Sequence, residues 1–532
     1  MNTTRTGAEA LLEAAHAAGV RVCFANPGTT ELGLVRALDN VSGIRPVLGL
    51  FEGVCTGAAD GYARVSGSPA LTLLHLGPGL ANGLANLHNA RRAHSPIINV
   101  IGDHATWHLP FDAPLTSDIE SLAGPMSSHV IRIQSGATIE TDIERAVACS
   151  LERPRGVVTV IAPSDLMDQQ ALSNGPRSPH GSDARDVVPQ PAGSAGLRPT
   201  NPARTAKAVE CLRTGGQTVL LLGSDALCER GQRAAAHIAA VTGARLIMES
   251  YPAIVSLGGD LPPLERLAYF PDDVIRQLGN SHVILAGARA PVSYFGYEGQ
   301  PSKLVSDEFV LELTAPDGAS VTALELVASQ VGRPDDTRRP PPAAVTTATP
   351  SGDISPTTVA EELVQQIPEG AIISLEGSTL GAPYLQRAHR ARRHQVMTNT
   401  GGAIGQGLPC AIGAAIAAPD ARIICLQSDG SAQYTIQSLW TMAREDLNIT
   451  IVLCANHRYG ILQTELRRSG AGLDRPATAR LTALDSPRMD WVSLAKGYGV
   501  PGCRVTNSEE FKQAFAAGTR KSGPYLIEAQ LA

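Results

Sequence analysis

The stretch that most constrains this 532-residue chain is IICLQSDGSAQYTIQSLWTMAREDLNITIVLCANHRYGI, residues 423–461. It opens with an apolar run, as a buried parallel strand requires, and the run ends in the polar turn Ser428-Asp429-Gly430-Ser431. From Gln433 to about Glu445, Ile436, Leu439, Trp440 and Ala443 recur at helical spacing, and a second buried run, Ile449–Cys454, delivers Asn456. A strand–turn–helix–strand unit puts both turns at the carboxyl edge of one parallel sheet, where open α/β sheets bind their ligands. Asp429 and Asn456 are oxygen donors suited to a hard divalent cation such as Mg²⁺. Gly430 and Ser431 offer backbone N–H groups where a helix begins, a natural seat for phosphate. Taken singly, Asp429-Gly430 is also what an ordinary loop contains, and Asn456 what caps a helix. Together they read as a metal–diphosphate anchor.

The same alternation runs through the rest of the chain. Helical spacing at Ala8–Ala18, Gly53–Ser66 and Gly83–Ala93 alternates with apolar runs at Val22–Ala25, Pro46–Phe51, Ala70–Leu76, Ile97–Gly102 and Val157–Ala162. Strands separated by helices of this length predict a doubly wound parallel sheet. Residues 169–200 turn to Ser, Pro, Gly, Asn and Asp, and 333–351 to Pro, Ala and Thr, so both read as linkers. Between them TVLLLG, ARLIME, HVILAG and FVLELT mark a second α/β unit. The expected class is α/β, with three doubly wound parallel-sheet domains at residues 1–170, 201–332 and 352–532.

With 43% hydrophobic and 18% charged residues, the chain has the balance of a globular protein with several cores. A net charge of −6 makes no basic field for nucleic acid or an anionic membrane surface. No apolar run reaches the ~20 residues that span a bilayer. MNTTRTGAEALLEAA lacks the apolar core of a signal peptide. Nine cysteines, none in a CxxC pair and several inside apolar runs, read as reduced thiols, so the expected compartment is the cytoplasm.

Glu52, in VLGLFEGV, stands where an apolar run gives way to a helix. A carboxylate there either caps the first turn or is put to use. FANPGTTEL (Phe24–Leu32), HLGPGLANGLANLHNA (His75–Ala90) and SPIINVIGD (Ser95–Asp103) read as loop sequences at strand ends, converging with Glu52 on one sheet edge.

The paired turns resemble the Gly-Asp-Gly-Ser…Asn-Asn signature of the thiamin-diphosphate-dependent enzymes, with Ser428 for the first Gly and Ala455 for the first Asn. Together with the N-terminal segments, the likeness covers nearly the whole chain in order. Within the family it is nearest to the acetolactate synthase and benzoylformate decarboxylase group, and in particular to acetolactate-synthase-like large-subunit paralogues of actinobacteria. The resemblance implies thiamin diphosphate and Mg²⁺, the metal held by Asp429, Asn456 and the carbonyl of Arg458. It further implies cofactor contacts from Ser378, Thr379, Gly430, Ser431 and Tyr459, a bend imposed by Ile404, and a carbonyl at Gly402 that accepts from the cofactor's amine. Glu52 becomes the carboxyl that hydrogen-bonds the pyrimidine ring and promotes loss of the thiazolium proton, a task that needs an apolar site to raise its pKa. His75 and Thr29 match substrate-side residues of benzoylformate decarboxylase.

Other positions depart from both relatives. Leu115 stands where acetolactate synthases carry Gln. The second catalytic His of the decarboxylase falls near Gly296, where only Tyr294 and Tyr297 are at hand, and Glu465 and Arg467 replace an apolar wall. The implied activity is decarboxylation of a small-molecule 2-oxo acid, or its carboligation to a second carbonyl compound. It implies a homodimer or homotetramer whose half-sites come from different subunits. Two other readings stay open. One is an FAD-containing acetolactate synthase, although the middle domain shows no dinucleotide fingerprint; the other is a catalytically silent paralogue that regulates a partner subunit.

Overall fold

The computed structural model describes residues 5–170, 198–214, 216–333 and 352–531, so both compositional linkers lie almost wholly outside the described residues. Apolar runs with buried residues on both faces form parallel strands, and helices cover them. The first sheet comprises β1 (Val22–Asn26), β2 (Arg45–Leu48), β3 (Ala70–His75), β4 (Ile97–Asp103), β5 (His129–Arg132) and β6 (Val157–Pro163), all parallel, in the order β2-β1-β3-β4-β6-β5. The middle segment supplies β7 (Thr218–Leu222), β8 (Arg245–Met248), β9 (Val255–Leu257), β10 (Glu265–Arg266), β11 (His282–Ala286) and β12 (Val310–Thr314). All of these but β9 form a second parallel sheet, ordered β10-β8-β7-β11-β12. The third sheet holds β13 (Ala371–Leu375), β14 (His394–Thr398), β15 (Ile423–Ser428), β16 (Ile449–Ala455), β17 (Gly502–Val505) and β18 (Tyr525–Gln530), and runs β17-β18-β16-β15-β13-β14-β9.

The edge position of β9 departs from the expected three self-contained sheets. This three-residue strand leaves the middle segment and pairs antiparallel with β14. Its brevity hid it from a reading based on periodicity. A second difference concerns Leu76–Ala93, which is helical from its first residue although HLGPG reads as a loop. Pro78 falls in the first helical turn, where a missing N–H costs nothing. The helix expected from Gln433 to Glu445 is instead broken, with a 3₁₀ turn at Gln433–Thr435 before the helix Ser438–Arg444. Here tertiary tethers override propensity, since the Thr435 hydroxyl donates to the Gly405 carbonyl at 2.8 Å.

The N- and C-terminal domains of one chain meet along two helices, Glu52–Ser66 and Gly407–Ala417. Their backbones touch because glycines lie at the crossing. A Cβ on Gly61 would stand 2.2 Å from the Cys410 carbonyl oxygen, and one on Gly413 would stand 1.9 Å from that of Ala58. Inside this contact lies an ion pair, Asp60 with Arg64, the side chains of both buried. Arg64 also donates to the carbonyls of Thr398 (2.7 Å) and Ala253 (3.3 Å), so one guanidinium binds all three domains. Removing one member of a buried pair strands the other charge, at a cost of about 3–5 kcal/mol. Arg64→Met should therefore lower the urea midpoint, by a shift that multiplied by the m-value is about 3–5 kcal/mol, and the double variant Asp60→Asn/Arg64→Met should recover part of the loss. Equal midpoints for the wild type and Arg64→Met would refute this account of the junction.

Candidate active site

Four consecutive strands of the third sheet, β16-β15-β13-β14, deliver their carboxyl ends to one edge. They present Asn456–Tyr459, Asp429–Ser431, Glu376–Thr379 and Asn399–Gln406, so the segments the sequence singled out in this domain converge. Asp429 is fully buried; its Oδ2 accepts from the His457 N–H at 2.7 Å and its Oδ1 from the Gly430 N–H at 2.9 Å. Burial raises its pKa. Asn456 donates through Nδ2 to Thr379 Oγ1 at 2.9 Å, and its Oδ1 accepts from the Arg458 N–H at 3.1 Å. The Arg458 carbonyl accepts from the Gly460 N–H at 3.1 Å. Each of these oxygens keeps a lone pair, and all are hard donors, so the set fits Mg²⁺.

The two departures from the family signature leave these turns intact. Ser428 caps the turn at φ −108° and ψ 152°, a conformation any residue adopts. Ala455 ends β16 inside the sheet, paired with Gln530 and fully buried. One expectation needs refinement. The Gly430 N–H is taken up by the carboxylate of Asp429 rather than left open for phosphate. Ser431 Oγ donates to the Ser428 carbonyl at 3.1 Å, and the Tyr459 ring lies 2.8 Å from where a Gly430 Cβ would stand. Gly402 adopts φ +80° and Ile404 is half-buried beside it.

The first sheet builds a second constellation at the ends of β2, β1 and β3. Glu52 begins its helix, half-buried, and accepts from Asn82 Nδ2 at 3.1 Å. Leu50, two positions before Glu52, is 44% exposed in the single chain. His75 Nδ1 lies 2.8 Å from Glu31 Oε2 and 3.2 Å from Thr30 Oγ1. Glu31 is fully buried and also accepts from the Gly28 N–H at 2.7 Å and from Thr30 Oγ1 at 2.6 Å. A carboxylate on that side assigns the proton to Nδ1 and leaves His75 Nε2 for other chemistry. Thr29 is exposed and stands outside this network, which takes its neighbour Thr30 instead. Glu31 and Asn82 were not singled out by sequence, although both lie in segments that were. Their partners are 44 and 30 positions away, a separation no local pattern reports.

The middle segment reaches the C-terminal domain just after the Asn456–Tyr459 turn. The Tyr297 hydroxyl donates to Glu465 Oε1 at 2.9 Å, and burial pushes the phenol up to about 12, so it remains a donor. Arg468 pairs with Asp272 and lies 4.0 Å over the Phe270 ring. The helix Gly460–Arg468, which follows the Asn456–Tyr459 turn, is thus fastened to the middle domain. Among the described residues no hydrogen bond joins Glu52 to the Asp429 turn. Exposed apolar side chains flank both: Leu32 (49%) and Leu50 on one side, Tyr434 (53%) and Leu462 (46%) on the other.

Oxygen donors and hydroxyls at one sheet edge, with Glu52 and the pairing of His75 to the buried Glu31 at another, are the makings of an enzyme that uses a diphosphate cofactor. The chain belongs to the thiamine pyrophosphate enzyme family, matching its N-terminal TPP binding domain over residues 5–122 and its C-terminal TPP binding domain over 379–529. It is 45% identical over 524 residues, 98% of each chain, to a Mycobacterium tuberculosis protein provisionally named acetolactate synthase large subunit IlvX. It is 28% identical to the benzoylformate decarboxylase of Pseudomonas aeruginosa over 96% of each chain. Among solved structures, the thiamine diphosphate-dependent 4-hydroxybenzoylformate decarboxylase of Rhodococcus jostii RHA1 superposes with a TM-score of 0.83 at 25% identity, covering 99% of each chain. The fold and the thiamin-diphosphate class are therefore those expected from the sequence. Among the described residues no helix is long and apolar enough to cross a membrane.

For the anchor, Asp429→Ala should fold and lose metal-dependent cofactor affinity. Calorimetric titration with thiamin diphosphate, with and without Mg²⁺, checks this; equal affinity in variant and wild type would dismiss Asp429 as a ligand.

Proposed function

We propose that the protein is a Mg²⁺-dependent 2-oxo acid decarboxylase or carboligase that works as a dimer or a pair of dimers. The observation that carries this reading is that both constellations keep their chemistry while, among the described residues, no hydrogen bond joins Glu52 on the N-terminal domain to the Asp429 turn on the C-terminal one. Asp429, Asn456 and the Arg458 carbonyl would hold the metal, and Ser378, Thr379, Ser431 and Tyr459 would line the diphosphate. Bound thiamin diphosphate supplies a carbon nucleophile for the ketone and a sink for the electrons left when CO₂ departs. Glu52 would hold a proton against the pyrimidine ring, and Ile404 would support the bend. His75, its Nδ1 held by Glu31, would carry a proton at Nε2 to or from the substrate oxygen. Tyr297 and Glu465 give the substrate side a polar surface, which favours a small or polar acid over an aryl one. A second copy would cover the exposed Leu32, Leu50, Tyr434 and Leu462 and bring its Glu52 to this chain's metal turn.

Release of CO₂ from a panel of 2-oxo acids, with analysis of the products, tests the reaction. An aldehyde marks decarboxylation and a hydroxyketone marks carboligation. Glu52→Gln should fold and bind the cofactor but lose at least about a hundredfold in turnover, since general acid–base contributions run to ~10²–10⁴. Exchange of the thiazolium proton with deuterium should slow in parallel. If that exchange is equally slow in the wild type, the silent-paralogue reading stands instead. Light scattering at assay concentration should give a dimer or tetramer that cofactor stabilises by mass action; a fully active monomer would rule out shared half-sites.

A further inference from the structure

Glu376 is a buried carboxylate that the proposed mechanism leaves unused. It is 3% exposed, and among the described residues no Lys, Arg or His ion-pairs with it. Backbone amides surround it instead: the Gly405 N–H donates to Oε1 and the Gly407 N–H to Oε2, each at 2.6 Å. Gln427 Nε2 adds a third donor to Oε2 at 3.1 Å, and the same amide group reaches Ser431 Oγ at 2.9 Å. A charged group is retained in such a place only where its hydrogen bonds are complete. The loop it grips is pinned from other sides too. The Gly405 carbonyl accepts from Thr435, and Asn89 of the N-terminal domain donates to the Ala403 carbonyl at 2.8 Å. Gly405 itself holds φ +97°, so the chain there is set in a conformation that ordinary residues avoid.

We infer that Glu376 is a positioning residue that fixes the height of Ile404 and Gly402 relative to the diphosphate turn, through a clamp on Gly405–Gly407 and the Gln427–Ser431 link. This rests on the reading of Ile404 as the residue that bends the cofactor. Three loops meet at one carboxylate: its own, which carries Ser378 and Thr379, the one carrying Ile404, and the one carrying Asp429 and Ser431. The clamp requires an acceptor at both oxygens. In Glu376→Gln one terminal atom becomes an NH₂, so in either orientation a donor faces a donor and one contact with the loop fails. A misplacement near 1 Å at a reacting group costs on the order of a hundredfold.

The test compares the wild type, Glu376→Gln and Glu376→Asp by three measurements. Hydrogen–deuterium exchange in the cofactor-free protein should show faster exchange for the peptide spanning Gly405–Gly407 in Glu376→Gln. Calorimetry should show thiamin diphosphate and Mg²⁺ binding within about fivefold of the wild type, because Asp429 and Asn456 are intact. Exchange of the thiazolium proton should nevertheless slow by about ten- to a hundredfold. Glu376→Asp keeps two acceptors on a shorter stem and should fall between. Affinity and proton exchange that drop together would mean that Glu376 only holds the fold, and unchanged amide exchange at Gly405–Gly407 would mean that it holds no clamp; either overturns the inference. Should Glu376→Gln fail to fold, Glu376→Asp decides, and wild-type proton exchange in that variant is then the contrary result. A wild-type protein that never exchanges the proton overturns this inference and the proposed function together, whereas a fast wild type with an equally fast Glu376→Gln overturns this one alone.

Discussion

The contact between Glu52–Ser66 and Gly407–Ala417 sets the geometry on which the rest of the molecule depends. Gly57, Gly61 and Gly413 remove the side chains that would hold these helices apart. The close approach brings many backbone atoms into dispersion range, with Ala58, Ala59, Cys410 and Ala414 packed around it. The consequence reaches beyond stability. Glu52 is the first residue of one helix, and Gly407 begins the other directly after the segment carrying Gly402 and Ile404. Wherever this crossing is fixed, the starting points of both functional segments are fixed with it.

Three fully or nearly fully buried carboxylates then give the packing its register, each satisfied by a different chemistry. Asp60 has a guanidinium, Glu31 an imidazole with a hydroxyl and a backbone amide, and Glu376 only neutral donors. Apolar packing tolerates sliding, whereas a buried charge with directional partners does not. Arg64 is the clearest instance, since its donors end on carbonyls of the middle and C-terminal domains as well as on Asp60. These groups lie at the junctions between domains and at the roots of the loops, where small displacements would be amplified at the sheet edges.

The two constellations are built on different sheets, each by its own hydrogen bonds: His75 with Glu31 in the first and Asn456 with Thr379 in the third. Leu32, Leu50, Tyr434 and Leu462 stand exposed beside them. The middle domain contributes through Tyr297 and the Asp272–Arg468 pair, which steady the helix Gly460–Arg468.

Much of this was legible in the chain itself. Apolar runs buried on both faces define the parallel strands, and punctuation by Asp429-Gly430 and by Asn456 marks the edge where ligands gather, because period and turn chemistry are local properties. The same locality made Glu52 and His75 visible as polar residues at the ends of apolar runs. What sequence could not report was distance. Glu31 meets His75 across 44 positions, Arg64 meets Thr398 across 334, and Tyr297 meets Glu465 across 168, and each pairing exists only because strand order brings remote ends together. Strand β9 joins the third sheet for the same reason: three residues carry no periodic signal, and only the open edge of β14 decides where they pair. The sequence by itself determined the three-domain α/β class and the thiamin-diphosphate family. The tertiary structure decided that His75 is held through Nδ1, that Glu376 grips the loop of Ile404, and that the two half-sites stay apart in one chain, since these depend on contacts between segments that local chemistry leaves free.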